Sequence, residues 1–202
     1  MHLYSPRKFT LQHTISQEIK GVVAFVAVIW IAFFVGRVVP YDENSMGVTP
    51  RTARGLIGIV AMPFLHLDLK HLTANTLPLF VLLILMAGSK TRSWQVVLGI
   101  FLLGGLLLWL CGRHATHIGA SGLIFGLMAF LIVSGLIERR IVPLLISLLV
   151  GFLYGGSLLT GIVPQIGSQV SWDGHLFGAI AGGIVAYLLE KNRAQKPATT
   201  IA

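Results

Sequence analysis

The chain has 202 residues, 55% of them hydrophobic and only 11% charged, with a mean hydropathy of +0.83. Soluble domains carry about 25% charged residues, so this composition excludes an ordinary soluble enzyme and reads as a polytopic, all-α membrane protein. The net charge of +8 comes from basic residues spread over connecting segments rather than gathered with aromatics. That pattern fits topology signals and anionic lipid, and no nucleic-acid partner is expected.

Taken in order, residues 1–20 read as a polar tail or surface amphipathic piece carrying Arg7, Lys8 and Lys20. A first span is predicted from Gly21 to Val39, stopped by Pro40. It is long and lacks an A-x-A-like cleavage site, so it reads as a retained helix. Tyr41 to Gly55 is a polar loop, and Gly58 to Leu65 is an apolar piece too short to cross. Further spans are predicted over 71–87, 93–111, 121–137, 142–159 and 172–189. A loop rich in Gly, Pro and Ser (160–171) precedes the last span, and a basic tail (190–202) follows it. Six spans of about 20 residues use roughly 120 positions, leaving a single core, 21–189, and no second domain. The lone Cys111 allows no internal disulfide.

Lysine and arginine favour cytoplasmic loops. With the N-terminus inside, ten of the fifteen basic residues fall on cytoplasmic segments; Arg37, Arg51, Arg54, Lys70 and Arg113 fall outside. Both termini are therefore expected in the cytoplasm. Short loops, with neither a cleavable leader nor an added domain, suggest a prokaryotic plasma membrane.

On this topology every even-numbered span begins at the outer face. Ser121 opens the fourth span within Gly119-Ala120-Ser121-Gly122, and His175 opens the sixth. His71 and Asn75 open the second, one turn apart on one face. The polar groups thus share one depth. A serine in G-x-S-G is by itself as compatible with helix packing as with chemistry. With a histidine at the same depth it supplies the minimum for nucleophilic acyl transfer, and a nearby amide and second imidazole can stabilise an oxyanion. Asp173 is assigned to the loop before the sixth span, so a dyad rather than a triad is expected. Gly178 and Gly182 make a small-xxx-small face shared with His175, allowing close helix approach.

Three separated motifs carry a resemblance. His66-x4-His71-x3-Asn75 opens the second span, Gly119-Ala120-Ser121-Gly122 the fourth, and Gly174-His175-x2-Gly178-x3-Gly182 lies in the sixth. Together they resemble the rhomboid intramembrane serine proteases across the whole core. The resemblance implies a six-transmembrane-helix rhomboid-like bundle that cleaves membrane-anchored proteins in or beside a transmembrane helix. It implies Ser121 as nucleophile and His175 as general base and acid, with His71, Asn75 and the Ser121 N–H around the oxyanion. It also implies Phe125 as an aromatic stacked on the histidine, and Gly119, Gly178, Gly182 and His66 in support. One departure concerns the first loop, where many rhomboids carry a Trp-Arg pair. Residues 41–65 hold Arg51 and Arg54 but no tryptophan.

No cofactor or metal is expected, since metal spacings such as H-E-x-x-H are absent. His66 is expected to bond the first loop to the second span, and His114 and His117 to be solvated. Trp94, Trp109 and Trp172 read as interface anchors. The fifth span and the glycine-bearing loop after it (Gly161, Gly167) are expected to gate access. Two other functions fit parts of the pattern: an inactive rhomboid-like protein that binds membrane clients, and a small transporter. The transporter lacks the expected repeat symmetry and midplane site.

Overall fold

The structure, a computed structural model, describes residues 15–39, 43–89, 93–165 and 170–194. Arg7, Lys8, Pro40, Lys90, Arg92, Gly167 and Lys196 lie outside the described residues. Among the described residues eight α-helices follow one another: α1 (Ile15–Val38), α2 (Glu43–Met46), α3 (Ala53–Ala61), α4 (Leu69–Ser89), α5 (Ser93–Cys111), α6 (Ser121–Glu138), α7 (Ile141–Gly161) and α8 (Trp172–Ala194). A 3-10 turn, Met62–Phe64, extends α3. Six of the helices (α1 and α4 to α8) are long and apolar enough to cross a membrane. Among the described residues there is no strand, only one isolated antiparallel bridge between Val48 and His117.

The expected spans coincide with these helices to within a few residues, with one larger difference. α1 starts at Ile15, inside the segment read as tail. Glu18 is buried there and accepts a hydrogen bond from the Ser93 hydroxyl at 2.7 Å, which ties the start of α1 to the start of α5. A charged residue ends a span only when nothing compensates it. Trp94, expected as an interface anchor, packs between the same two helices, against Gly21 and edge-on to Phe25.

α6 is the centre of the bundle. Residues 123–131 are buried without interruption, and α6 packs most extensively against α8. In lipid no hydrophobic force drives helices together, so close backbone approach carries the contact. Gly122 and Gly126 on α6 face Gly178 and Gly182 on α8. A Cβ on Gly178 would lie 2.0 Å from the Gly122 carbonyl oxygen, and one on Gly182 would lie 2.0 Å from that of Gly126. α7 is the opposite case: only Ser147 and Val150 are buried, and Phe152 is 87% exposed.

The first loop is pinned at the same end as the α6 N-terminus. Thr52 caps α3, its hydroxyl accepting from Gly55 N–H at 3.0 Å. This cap explains why the helix begins five residues before the expected apolar piece. The Arg51 guanidinium donates to the Gly112 carbonyl at 2.8 Å, and the Trp109 indole donates to the Thr52 carbonyl at 2.8 Å. A tryptophan of α5 thus bonds the loop, although the loop's own sequence holds none.

Candidate active site

The turn before α6 is set by Gly119, whose φ of +107° suits only glycine. A side chain there would also collide with the His71 ring, its Cβ falling 2.7 Å from Nε2. Gly119 N–H donates to the Met62 carbonyl at 2.9 Å, joining this turn to the end of the first loop. Two residues on, Ser121 is the first residue of α6, where the backbone N–H groups have no intrahelical partner.

Ser121 Oγ lies 2.9 Å from His175 Nε2. The ring's other nitrogen, Nδ1, lies 3.0 Å from the Gly161 carbonyl oxygen. A carbonyl only accepts, so Nδ1 carries the proton and Nε2 accepts from the serine hydroxyl. Phe125, one helical turn after Ser121, lies flat on the imidazole with centroids 4.0 Å apart and planes at 5°. His71 and Asn75 border the same turn through Gly119. Asn75 is buried, and one of its amide N–H groups donates to the His71 carbonyl at 2.9 Å. The Asp68 carboxylate accepts from His71 N–H at 2.7 Å and caps α4.

Ser121, His175, His71, Asn75, Gly119 and Phe125 are therefore brought together at one end of the bundle, with Gly178 and Gly182 holding the two helices below them. Three expectations need correction. Asp173 is in the first turn of α8, not in the loop, and is 2% exposed. Its carboxylate accepts from Arg113 N–H at 3.0 Å and sits 3.4 Å from the Arg113 guanidinium. It is not hydrogen-bonded to His175, so the pair remains a dyad in geometry. His117 is buried rather than solvated: Nδ1 is 2.7 Å from Ser171 Oγ, and Nε2 is 3.6 Å from Asp173. His114 is exposed, as expected. Finally, His66 meets α4 by ring packing instead of a hydrogen bond. Its ring stands edge-on to His71 at 5.0 Å, and neither nitrogen finds a partner among the described residues. Missed altogether were the Gly161 carbonyl and the Arg113–His117–Asp173 cluster. The Asp-x-His spacing at the start of α8 was the one available signal for the latter.

Burial, aided by the neighbouring His71, pushes the His66 pKa from 6.5 down to about 4. Burial also lowers that of His117, opposed by Asp173. The unfolded chain therefore takes up protons first as pH falls. Stability contributed by neutral His66 is complete above pH 6.5 and declines toward pH 4. The thermal midpoint of the detergent-solubilised protein should fall across that window, and His66→Phe should shrink the fall.

A family model described as Rhomboid domain matches residues 53–192. This chain belongs to the rhomboid family. Similar chains are uncharacterized proteins of Mycobacterium tuberculosis (strain H37Rv), 42% identical over 83% of this chain and 73% of the relative, and of Mycobacterium leprae, 39% identical over 89% and 76%. A protein of Acanthamoeba polyphaga mimivirus named as a rhomboid protein is 29% identical over 66% of this chain and 75% of its own. The rhomboid match takes in the first loop from α3 onward, all of α4 to α7 and α8 as far as residue 192, so both halves of the Ser121–His175 pair fall within it.

Proposed function

We propose that this rhomboid is an intramembrane serine endopeptidase acting on transmembrane proteins. The observation that carries the reading is the 2.9 Å contact between Ser121 Oγ and His175 Nε2, with Nδ1 already engaged. In the reaction, Nε2 takes the hydroxyl proton as Oγ attacks the scissile carbonyl. The Ser121 N–H, the second N–H of Asn75 and His71 receive the oxyanion. The imidazolium then protonates the leaving amine, and water hydrolyses the acyl-enzyme by the same route in reverse. Hydrolysis needs water, so the dyad is assigned to an outward-opening cavity of a prokaryotic plasma membrane, with both termini cytoplasmic. α7, the least buried span, is the helix we assign to gating. Gly161, expected in the gating loop, is instead the last residue of α7 and is tightly packed against Phe125.

The test is incubation of the purified protein with a fluorescently labelled transmembrane peptide, together with a fluorophosphonate whose attachment point is mapped by mass spectrometry. Cleavage, with the phosphonate on Ser121, is the expected result. Binding of the peptide without cleavage or labelling would instead favour a client-binding rhomboid.

A further inference from the structure

A serine–histidine pair without a carboxylate still needs something to choose the imidazole tautomer. If the proton sat on Nε2, the ring would offer Ser121 a donor instead of a base. Among the described residues the group that meets Nδ1 is the Gly161 carbonyl, at 3.0 Å. Asp173, two residues away in sequence, is committed to Arg113 and His117.

Gly161 is the last residue of α7. Terminal carbonyls of a helix have no partner within it and carry the negative end of its dipole. That end favours a ring that must become positive during the reaction. The residue type matters as well. A Cβ at 161 would fall 2.4 Å from Phe125 Cζ and 3.4 Å from His175 Nδ1. The imidazole thus has Phe125 flat on one face and the bare α7 backbone at its Nδ1 edge, beside that same phenylalanine.

The rest of α7 is held elsewhere. Near its start, Ser147 Oγ donates to the Ile132 carbonyl at 2.9 Å, and Pro143 lies against Gly135 of α6. Toward its end, Gly151, Gly155 and Gly156 would meet nothing within 4 Å if given a side chain. The fully buried residues of α7, Ser147 and Val150, thus lie no nearer the dyad than mid-helix, while its near end rests on half-buried Tyr154 and Leu158 and on the Gly161 contact.

We propose that Gly161 is a positioning residue: seating the near end of α7 fixes the proton on His175 Nδ1 and thereby switches on Ser121. This inference rests on the protease reading. When α7 swings away, the imidazole loses its acceptor, both tautomers become accessible, and Ser121 loses its base. Admission of a substrate past this end of α7 and activation of the nucleophile are then mutually exclusive. A bond can be cut only after α7 has closed behind the substrate.

The experiment compares wild type, Gly161→Ala and Gly155→Ala. Labelling of Ser121 by a small fluorophosphonate reports nucleophile activation without a transmembrane substrate, and kcat and KM are measured on a transmembrane peptide. Gly161→Ala should slow labelling and lower kcat by at least about 100-fold, the low end of what a general base supplies, with KM unchanged. Gly155→Ala makes the same change where there is open space and should behave as wild type. Labelling of Gly161→Ala at the wild-type rate would overturn the proposal. Should that variant fail to fold, nitrogen NMR of histidine-labelled wild type decides: His175, identified by its loss in His175→Gln, must show a protonated Nδ1 and a bare Nε2 at neutral pH. The opposite tautomer overturns the proposal. If wild type neither labels nor cleaves, the protease reading fails on its own, and the NMR result still judges the Gly161 contact.

Discussion

Ser121→Ala is expected to lower kcat for a transmembrane peptide by on the order of 10⁶, the scale seen when either half of a serine–histidine unit is removed from another serine protease. His175→Ala should cost about as much, and the double variant no more than either single one. That non-additivity is the sharper test, because two residues that work as one unit can be lost only once. The variants should differ in stability. Ser121→Ala takes the hydroxyl donor from His175 Nε2 but keeps the Phe125 stack and the Gly161 hydrogen bond, so its thermal midpoint should fall less than that of His175→Ala. His175→Ala strips the stacking partner from Phe125 and the donor from the Gly161 carbonyl. An unsatisfied buried acceptor costs about 1–3 kcal/mol, so this variant should melt earlier. Undiminished cleavage by Ser121→Ala would refute the dyad outright.

The proposed dyad was legible in the sequence because two regularities converge on it. Spans that alternate in direction put the starts of α4, α6 and α8 on one side, and helical periodicity puts His71 with Asn75, and Ser121 with Phe125, on common faces. Side-chain chemistry at fixed offsets within a helix survives in one dimension. Contacts made by backbone do not. Any of the chain's carbonyls could have faced His175 Nδ1, and nothing in the residue name Gly161 says that its carbonyl does. The cluster of Arg113, His117 and Asp173 was hidden for a related reason: it forms only where the turn after α5 meets the start of α8. The start of α1 shows the converse error. Residues 15–20 read as polar tail, but they are helical, and Glu18 among them is met by a serine 75 positions along the chain. The first loop is likewise held by Trp109 of α5, a contact that the loop's own residues do not announce.

Gly182→Val should cripple the proposed protease activity from a distance. Position 182 is seven residues beyond His175, about two turns along α8. Its missing Cβ would lie 2.0 Å from the Gly126 carbonyl oxygen and 3.0 Å from that residue's Cα. These are backbone atoms, which cannot rotate aside as the tip of a side chain can, so α6 and α8 must separate. Ser121 and His175 belong one to each helix, and their 2.9 Å contact depends on that spacing. A displacement of about 1 Å at reacting groups can cost on the order of 100-fold, and overpacking a close contact costs about 1–3 kcal/mol. Both kcat and the thermal midpoint should fall. The neighbouring Gly183 supplies the control, since a Cβ there meets nothing within 4 Å. Gly183→Ala should leave kcat as it is and hold or raise the melting point, because alanine restricts the unfolded chain. Equal kcat for Gly182→Val and Gly183→Ala would mean that the helix spacing does not set the dyad distance. Loss at 182 alone would mean that the catalytic geometry is written partly in glycines that never touch the substrate.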